Sequence, residues 1–236
     1  MKTSIRYFIY LIRQNKNNGS SYSQLKHYFK WKRSLNPESS SVKDEQPWIT
    51  YDAIDFLKLN INSASKVFEY GGGGSSLFFV KRVKEVITVE HDLAWFQKLS
   101  QIINEQQYSN WKGSFVLAQK GDIVVSPDKA NPEHYSSEDE KSIGYNYKDY
   151  VSFIDNYSDN YFDVVLVDGR SRVSCIKHSI SKIKQGGFLI LDNSDRNYYV
   201  EQLKEIIENN FEIIIDNYGA SPYSQSFTKT TVWRKK

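Results

Sequence analysis

The sequence predicts a doubly wound α/β fold: a mostly parallel sheet of seven strands with an antiparallel last strand, preceded by a helical, basic N-terminal arm. Three observations lead there. From residue 48 onward, short apolar segments alternate with segments of helical spacing, the pattern of successive βα units. One of these, FDVVLVD at 162–168, is an unbroken apolar run of the kind buried on both faces of a parallel sheet. Acidic or amide residues recur near the ends of successive strands, at Glu69, Glu90, Asp122, Asp168, Asp192 and Asn193. Open α/β sheets bind ligands beyond those ends.

The elements follow in order. Residues 1–47 read as arm and linker, since 34–47 (SLNPESSSVKDEQP) is rich in Ser, Pro and charge; residues 48–236 form the α/β domain. Residues 49–60 place Ile54, Phe56 and Leu57 at mostly helical spacing. A first strand at 66–70 enters the Gly71–Gly74 turn and a helix at 75–83. A second strand, 85–90, precedes a helix at 94–106, and 114–119 is the third strand. Residues 126–147 are polar and too long for an ordinary α/β connection, so a substrate loop is expected there. A helix at 148–156 leads to the strand at 162–168. The next helix, 173–184, ends at Gly186–Gly187, read as a C-cap. A strand at 188–192, a helix at 199–209, a strand at 211–216, a turn at 219–222 and a last strand at 226–234 complete the chain.

A length of 236 residues suits one α/β domain with an appendage, and 39% hydrophobic against 25% charged residues argues for a buried core rather than global disorder. The single cysteine, Cys175, excludes an internal disulfide framework and reads as packing. No apolar run approaches the roughly 20 residues of a membrane-spanning helix. The run at 7–12 (YFIYLI) is short and lacks a small-residue cleavage site. A cytoplasmic location is expected.

Charge is unevenly placed. Residues 1–33 hold Lys2, Arg6, Arg13, Lys16, Lys26, Lys30, Lys32 and Arg33 and no Asp or Glu, so the remainder is net acidic. Tyr7, Tyr10, Tyr28, Phe29 and Trp31 are interleaved with them. One reading is a surface for an anionic membrane, an anionic glycan or nucleic acid; the other is a solvated cap that packs its aromatics on the domain. Nucleic acid is the least expected of these partners, and an oligomer stays open.

Glycines at 71–74 let a ligand approach the backbone, and Glu90 stands where a carboxylate bridges two ribose hydroxyls. The dinucleotide pattern G-x-G-x-x-G fails, because its last position falls on Ser76 or Leu77. Glu69 beside the turn also suits a cationic ligand better than a pyrophosphate. An oxidoreductase using NAD or a nucleotide sugar nevertheless stays open as an alternative.

The run VFEYGGGGSS resembles the first motif of class I S-adenosylmethionine-dependent methyltransferases, and VITVEHD resembles their second. GD at 121–122, VLVDG at 165–169 and GGFLILDN at 186–193 are similar to the later motifs in order and spacing. The resemblance implies S-adenosylmethionine (SAM) as cofactor, with Glu69, Gly71, Gly73 and Ser75 at its methionine end, Glu90 on the ribose, His91 beside the adenosine, Asp122 on the adenine amine and Asp168 near the amino group. It also resembles the cation-dependent O-methyltransferases, in which Asp168, Asp192 and Asn193 would ligate Mg²⁺ to activate an acceptor hydroxyl. Those enzymes carry a Lys after the fourth-strand Asp; this chain reads Gly169, Arg170, Ser171, Arg172 instead.

The catalytic candidates are therefore Asp168, Asp192 and, as a base, His178. The segment VDGRSRVSCI is similar to methyltransferase-like proteins of glycan pathways, which would assign Arg170 and Arg172 to an acidic sugar or phosphate group. Asp195, Arg196 and Tyr147, with Tyr145 and Tyr150, complete the acceptor-side candidates. The expected function is O-methylation of a glycan or other small polar acceptor, the alternative being a SAM-binding regulatory protein without catalysis.

Overall fold

The computed structural model describes residues 2–18, 21–120, 128–137 and 140–236. The arm is helical: α1 (Lys2–Asn18), a 3₁₀ turn (Ser21–His27) and α2 (Tyr28–Ser34). The domain then runs α3 (Tyr51–Asn60), β1 (Lys66–Tyr70), α4 (Gly74–Val80), β2 (Glu85–Glu90), α5 (Leu93–Glu105) and β3 (Trp111–Phe115). After the 119–147 region come α6 (Lys148–Ser152), β4 (Phe162–Val167), α7 (Arg172–Ser179), β5 (Ile183–Asp192), α8 (Lys204–Asn210), β6 (Phe211–Ile215) and β7 (Thr228–Lys235).

The seven main strands lie in the order β3-β2-β1-β4-β5-β7-β6. Neighbours from β3 to β5 are parallel, and β7 runs antiparallel between β5 and β6. A short strand at Tyr218–Gly219 pairs with the start of β7. The predicted α/β class with its antiparallel last strand is the observed one. Strand order reverses at β1, which has β2 on one side and β4 on the other, so a crevice opens beyond the ends of these three strands.

Alternation along each strand feeds two cores. Phe68, Tyr70, Val165, Val167, Leu189 and Leu191 pack toward α6, α7 and α8. Val67, Val164, Leu166 and Ile190 pack on the other face, with α3, α4 and the arm residues Tyr7, Leu11 and Trp31. A polar hub fastens the arm. Asp52 on α3 accepts from His27 Nε2 and Lys26 Nζ (both 2.9 Å), Asn217 Nδ2 (3.1 Å) and Gln24 Nε2. Burial opposes its ionisation, but these donors hold its carboxyl well below the usual range.

Several predicted elements change. The third strand starts earlier, at Trp111, whose indole N–H donates to Thr88 Oγ1 (2.8 Å) and locks the Val86–Trp111 register; the apolar run 115–118 carries beyond the sheet. The helix predicted at 173–184 stops at Ser179, and Gly186–Gly187 lie inside β5, whose register with β4 shifts between Phe162 and Val164. The 34–47 stretch is not a loose connector. A Cβ on Gly74 would collide with the carbonyl oxygens of Ser41 and Gln46, so these turns are packed directly on the start of α4.

Candidate functional site

The glycine turn after β1 is built from below. Gly71 has φ +87°, which residues with a Cβ rarely adopt, and a Cβ there would lie 3.1 Å from Gly169 Cα. The turns after β1 and β4 therefore touch. Ser76 Oγ accepts the Gly73 N–H (3.1 Å) and donates to Glu69, which also accepts from Thr88 Oγ1 (2.6 Å). Burial pushes the Glu69 carboxyl up to about 7. Glu69, expected at the methionine end of a ligand, is wholly buried and supports the turn instead.

Glu90, at the end of β2, aims its carboxylate across the turn. Oε2 accepts from Gly72 N (3.1 Å), and Oε1 accepts from the N–H groups of His91 (2.7 Å) and Asp92 (2.9 Å). Burial raises its pKa, but the His91 ring and these backbone donors outweigh it, so the carboxylate is held below its ordinary value. Arg170 Nε donates to His91 Nε2 (3.3 Å). His91 Nδ1 lies 2.8 Å from Glu90 Oε1. Trp95, in the first turn of α5, donates its indole N–H to Gly72 O (2.7 Å) and sets its ring beside Gly73. Together these enclose a cavity of about 320 Å³, walled by Gly71 to Ser75, Glu90, His91, Trp95, Asp168 and Arg170, with Trp48 and Ser41 at its lip. Small-molecule sites span about 300–1,000 Å³.

Next to it, the ends of β4 and β5 are tied by one guanidinium. Arg172 donates Nη2 to Asp168 Oδ1 (2.9 Å), Nε to Gly169 O (3.0 Å) and Nη1 to the Asp192 carbonyl. Asp192 Oδ1 accepts from Thr230 Oγ1 (2.7 Å), and Thr230 Oγ1 accepts from Thr50 N (3.0 Å). Burial and the neighbouring Asp168 push the Asp192 carboxyl up to about 7, Arg172 opposing. Asp168 is raised too, chiefly by burial, again against Arg172.

A second cavity, about 440 Å³, opens on the other side of Asp168. Asp192, Asn193, Asp195 and Arg196 form its floor; Ser224, Ser226, Phe227 and Thr228 form its wall, and Trp48 stands between it and the first cavity. The arm props that wall. Tyr10 stacks on Phe227 (ring centroids 5.1 Å apart), Tyr7 meets it edge-on (4.9 Å), and Trp31 Nε1 donates to Ser224 O (2.7 Å).

The expected metal trio does not fit a hard cation, which wants converging oxygen lone pairs. Arg172 already places positive charge on Asp168, a Thr230 hydroxyl faces Asp192, and Asn193 turns its amide N–H₂ to Thr228 Oγ1 (3.2 Å). Among the described residues no cluster of three or more His, Cys, Asp or Glu is arranged to hold a metal. The glycine turn, Glu90 and the indole beside them do fit a nucleoside-bearing ligand.

Other sequence candidates lie elsewhere. His178 pairs through Nδ1 with Asp155 (2.7 Å) near the far end of α7 and lines neither cavity, so it is not a base for this site. Tyr147 is buried, donates to Ser142 Oγ (2.8 Å) and stands edge-on behind His91; it supports that ring and does not stack on an acceptor. Arg172 lines the first cavity, and its guanidinium is engaged by Asp168, Gly169 and the Asp192 carbonyl. Asp122 lies outside the described residues. Of the expected substrate loop, no described residue lines either cavity; Tyr135 and Glu133 pack on α7 at His178 and Lys177. The sequence reading missed Trp48, Trp95 and Phe227. Trp95 stands three residues after the Asp92 N-cap, whose carboxylate accepts its backbone N–H (2.9 Å).

No family model matches the chain, and no curated protein matches it in sequence. Solved structures do match in fold. A protein of Streptococcus mutans designated a methyltransferase, solved in complex with SAH, superposes with a TM-score of 0.53 at 11% identity, over 77% of this chain and 94% of that one. A Clostridium thermocellum protein designated an rRNA methylase gives 0.51 at 10% identity, over 78% and 93%. The chain thus has the Rossmann-like α/β fold typical of methyltransferases.

Proposed function

We propose that this protein is a SAM-dependent methyltransferase that methylates a hydroxyl of a glycan or another small polar acceptor, without a metal ion. One observation carries the reading: two cavities, one shaped for a nucleoside-bearing ligand and one rich in hydroxyls and carboxylates, meet at Asp168. When bound, SAM supplies an activated methyl group on a sulfonium. Glu90 would hold the ribose hydroxyls, the Gly71–Gly73 backbone would hold the amino-acid end, and Trp95 and His91 would flank the adenosine. Asp168 orients the acceptor hydroxyl at the junction. Asp192, with its pKa near neutrality, is suited to take that hydroxyl's proton. Transfer between two positioned ligands needs mainly orientation from the protein. An acceptor wall combining Trp48 and Phe227 with Ser224, Ser226 and Thr228 supports a sugar, whose apolar face and hydroxyl edge match that mixture.

The test is calorimetric titration with SAM and SAH, followed by transfer of labelled methyl to sugars and oligosaccharides. Glu90→Ala is expected to weaken SAM binding about a hundredfold, the loss of two bonds to a charged group. Unchanged affinity, or binding of NAD in place of SAM, would sink the reading.

A further inference from the structure

The arm has two faces, and only one is used within the molecule. Tyr7, Tyr10 and Leu11 of α1 turn inward to the domain. Ile5, Phe8, Ile9 and Ile12, spaced i, i+3, i+4, i+7, share the opposite, exposed stripe. Phe8 continues through Tyr28 (5.5 Å) to Phe29 of α2, which is 78% exposed. Arg13, Lys32 and Arg33 are exposed on the same two helices, Arg6 beside them donates to Gln225 Oε1 (2.8 Å), and residues 1–33 contain no acid. The acids that face the arm, Asp52 and Asp55 of α3, engage Lys26, His27 and Lys30 on its inner side.

We propose that this outer face docks on an anionic lipid surface, its apolar side chains entering the boundary between headgroups and acyl chains and its basic side chains pairing with lipid phosphates. Charge complementarity and shape select this occupant. A second copy would set basic face against basic face. An anionic glycan or an acidic protein would satisfy the cations but leave a convex apolar stripe in water. A lipid interface accepts both, as it does for interfacial amphipathic helices. Among the described residues no helix is long and apolar enough to cross a membrane, so the contact is peripheral.

The test is cosedimentation of the full chain with vesicles of phosphatidylcholine alone and of equal parts phosphatidylcholine and phosphatidylglycerol. Retention is expected on the anionic vesicles and should fall as salt is raised. Phe29→Asp and Ile12→Asp should each weaken it roughly tenfold or more, and Arg13→Ala about fivefold. Circular dichroism and SAM affinity of the variants should match wild type, and the milder Phe29→Ser should fall between wild type and Phe29→Asp. Equal retention on neutral vesicles, or insensitivity to Phe29→Asp and Ile12→Asp, overturns the proposal. So does binding to heparin or polyglutamate without vesicle binding, or a dimer that Ile12→Asp dissolves.

Discussion

A carboxyl with its pKa near 7, as Asp192 has through burial and the proximity of Asp168, divides at neutral pH between acid and base forms. If it accepts the acceptor's proton, kcat/KM should climb as pH rises through about 7 and level off above. Asp192→Asn should remove that inflection and lower kcat/KM by about 10²–10⁴-fold. A second consequence concerns stability. The folded pKa lies above the unfolded value of 3.8, so the native state keeps a proton that the unfolded chain has lost. Stability should therefore decline from about pH 4 to about pH 7 and flatten beyond, and urea titrations of Asp192→Asn should show a shallower slope. Arg172 makes the complementary case. Removing it as Arg172→Met leaves the buried Asp192 and the part-exposed Asp168 without their shared cation, which should destabilise the fold by less than the roughly 3–5 kcal/mol of a fully buried pair. Arg172→Lys should rescue little, since an ammonium lacks the fork that reaches β4 and β5 together. If the guanidinium stands where a metal was expected, activity should survive excess EDTA; loss restored by Mg²⁺ would contradict the assignment.

Among the elements, the segment 221–227 depends on α1 and α2 for its position. Tyr10→Ala removes a ring stacked on Phe227, and the wall of the second cavity should loosen. KM for the acceptor should rise about tenfold, within the usual worth of an aromatic pair plus its burial. The Kd for SAM should stay put, because the first cavity takes nothing from α1. This division also explains what could be read in advance. The strand alternation, the glycine turn and Glu90 were legible because each is a local pattern: period, φ requirement, strand end. The wall around Phe227 was not, because it exists only where residues of the arm meet residues 224–227 at the other end of the chain. Gly186–Gly187 were misread for a related reason: glycine after a helical pattern signals a cap, and only the β4 ladder reveals a bulge. The metal trio is engaged by Arg172, Thr230 and Thr228, the first of them from an adjacent turn. Its oxygen ligands stand at adjacent strand ends, but a spacing argument has no means of showing that Arg172 reaches back four residues to neutralise Asp168.

For the whole molecule, arm and domain share one core. Tyr7 and Trp31 are fully buried against the sheet face that carries Val67 and Leu166. Trp31→Ala should cost about 3–5 kcal/mol, and calorimetry should show the wild-type arm and domain melting in one transition. A separate low-temperature transition lost on removal of residues 1–34 would show the arm to be an independent unit.

Of the described residues lining the two cavities, only Trp48 and Asp168 belong to both. Apart from Arg172, which ties the two sides together, substitutions elsewhere in the walls touch one cavity at a time. On the proposed reading, drift in 193–228 and in the arm can rewrite which molecule is accepted while the residues from the glycine turn to Trp95 that would hold SAM stay intact. A directed-evolution library confined to that acceptor wall has the same freedom, provided it leaves the shared indole and carboxylate alone.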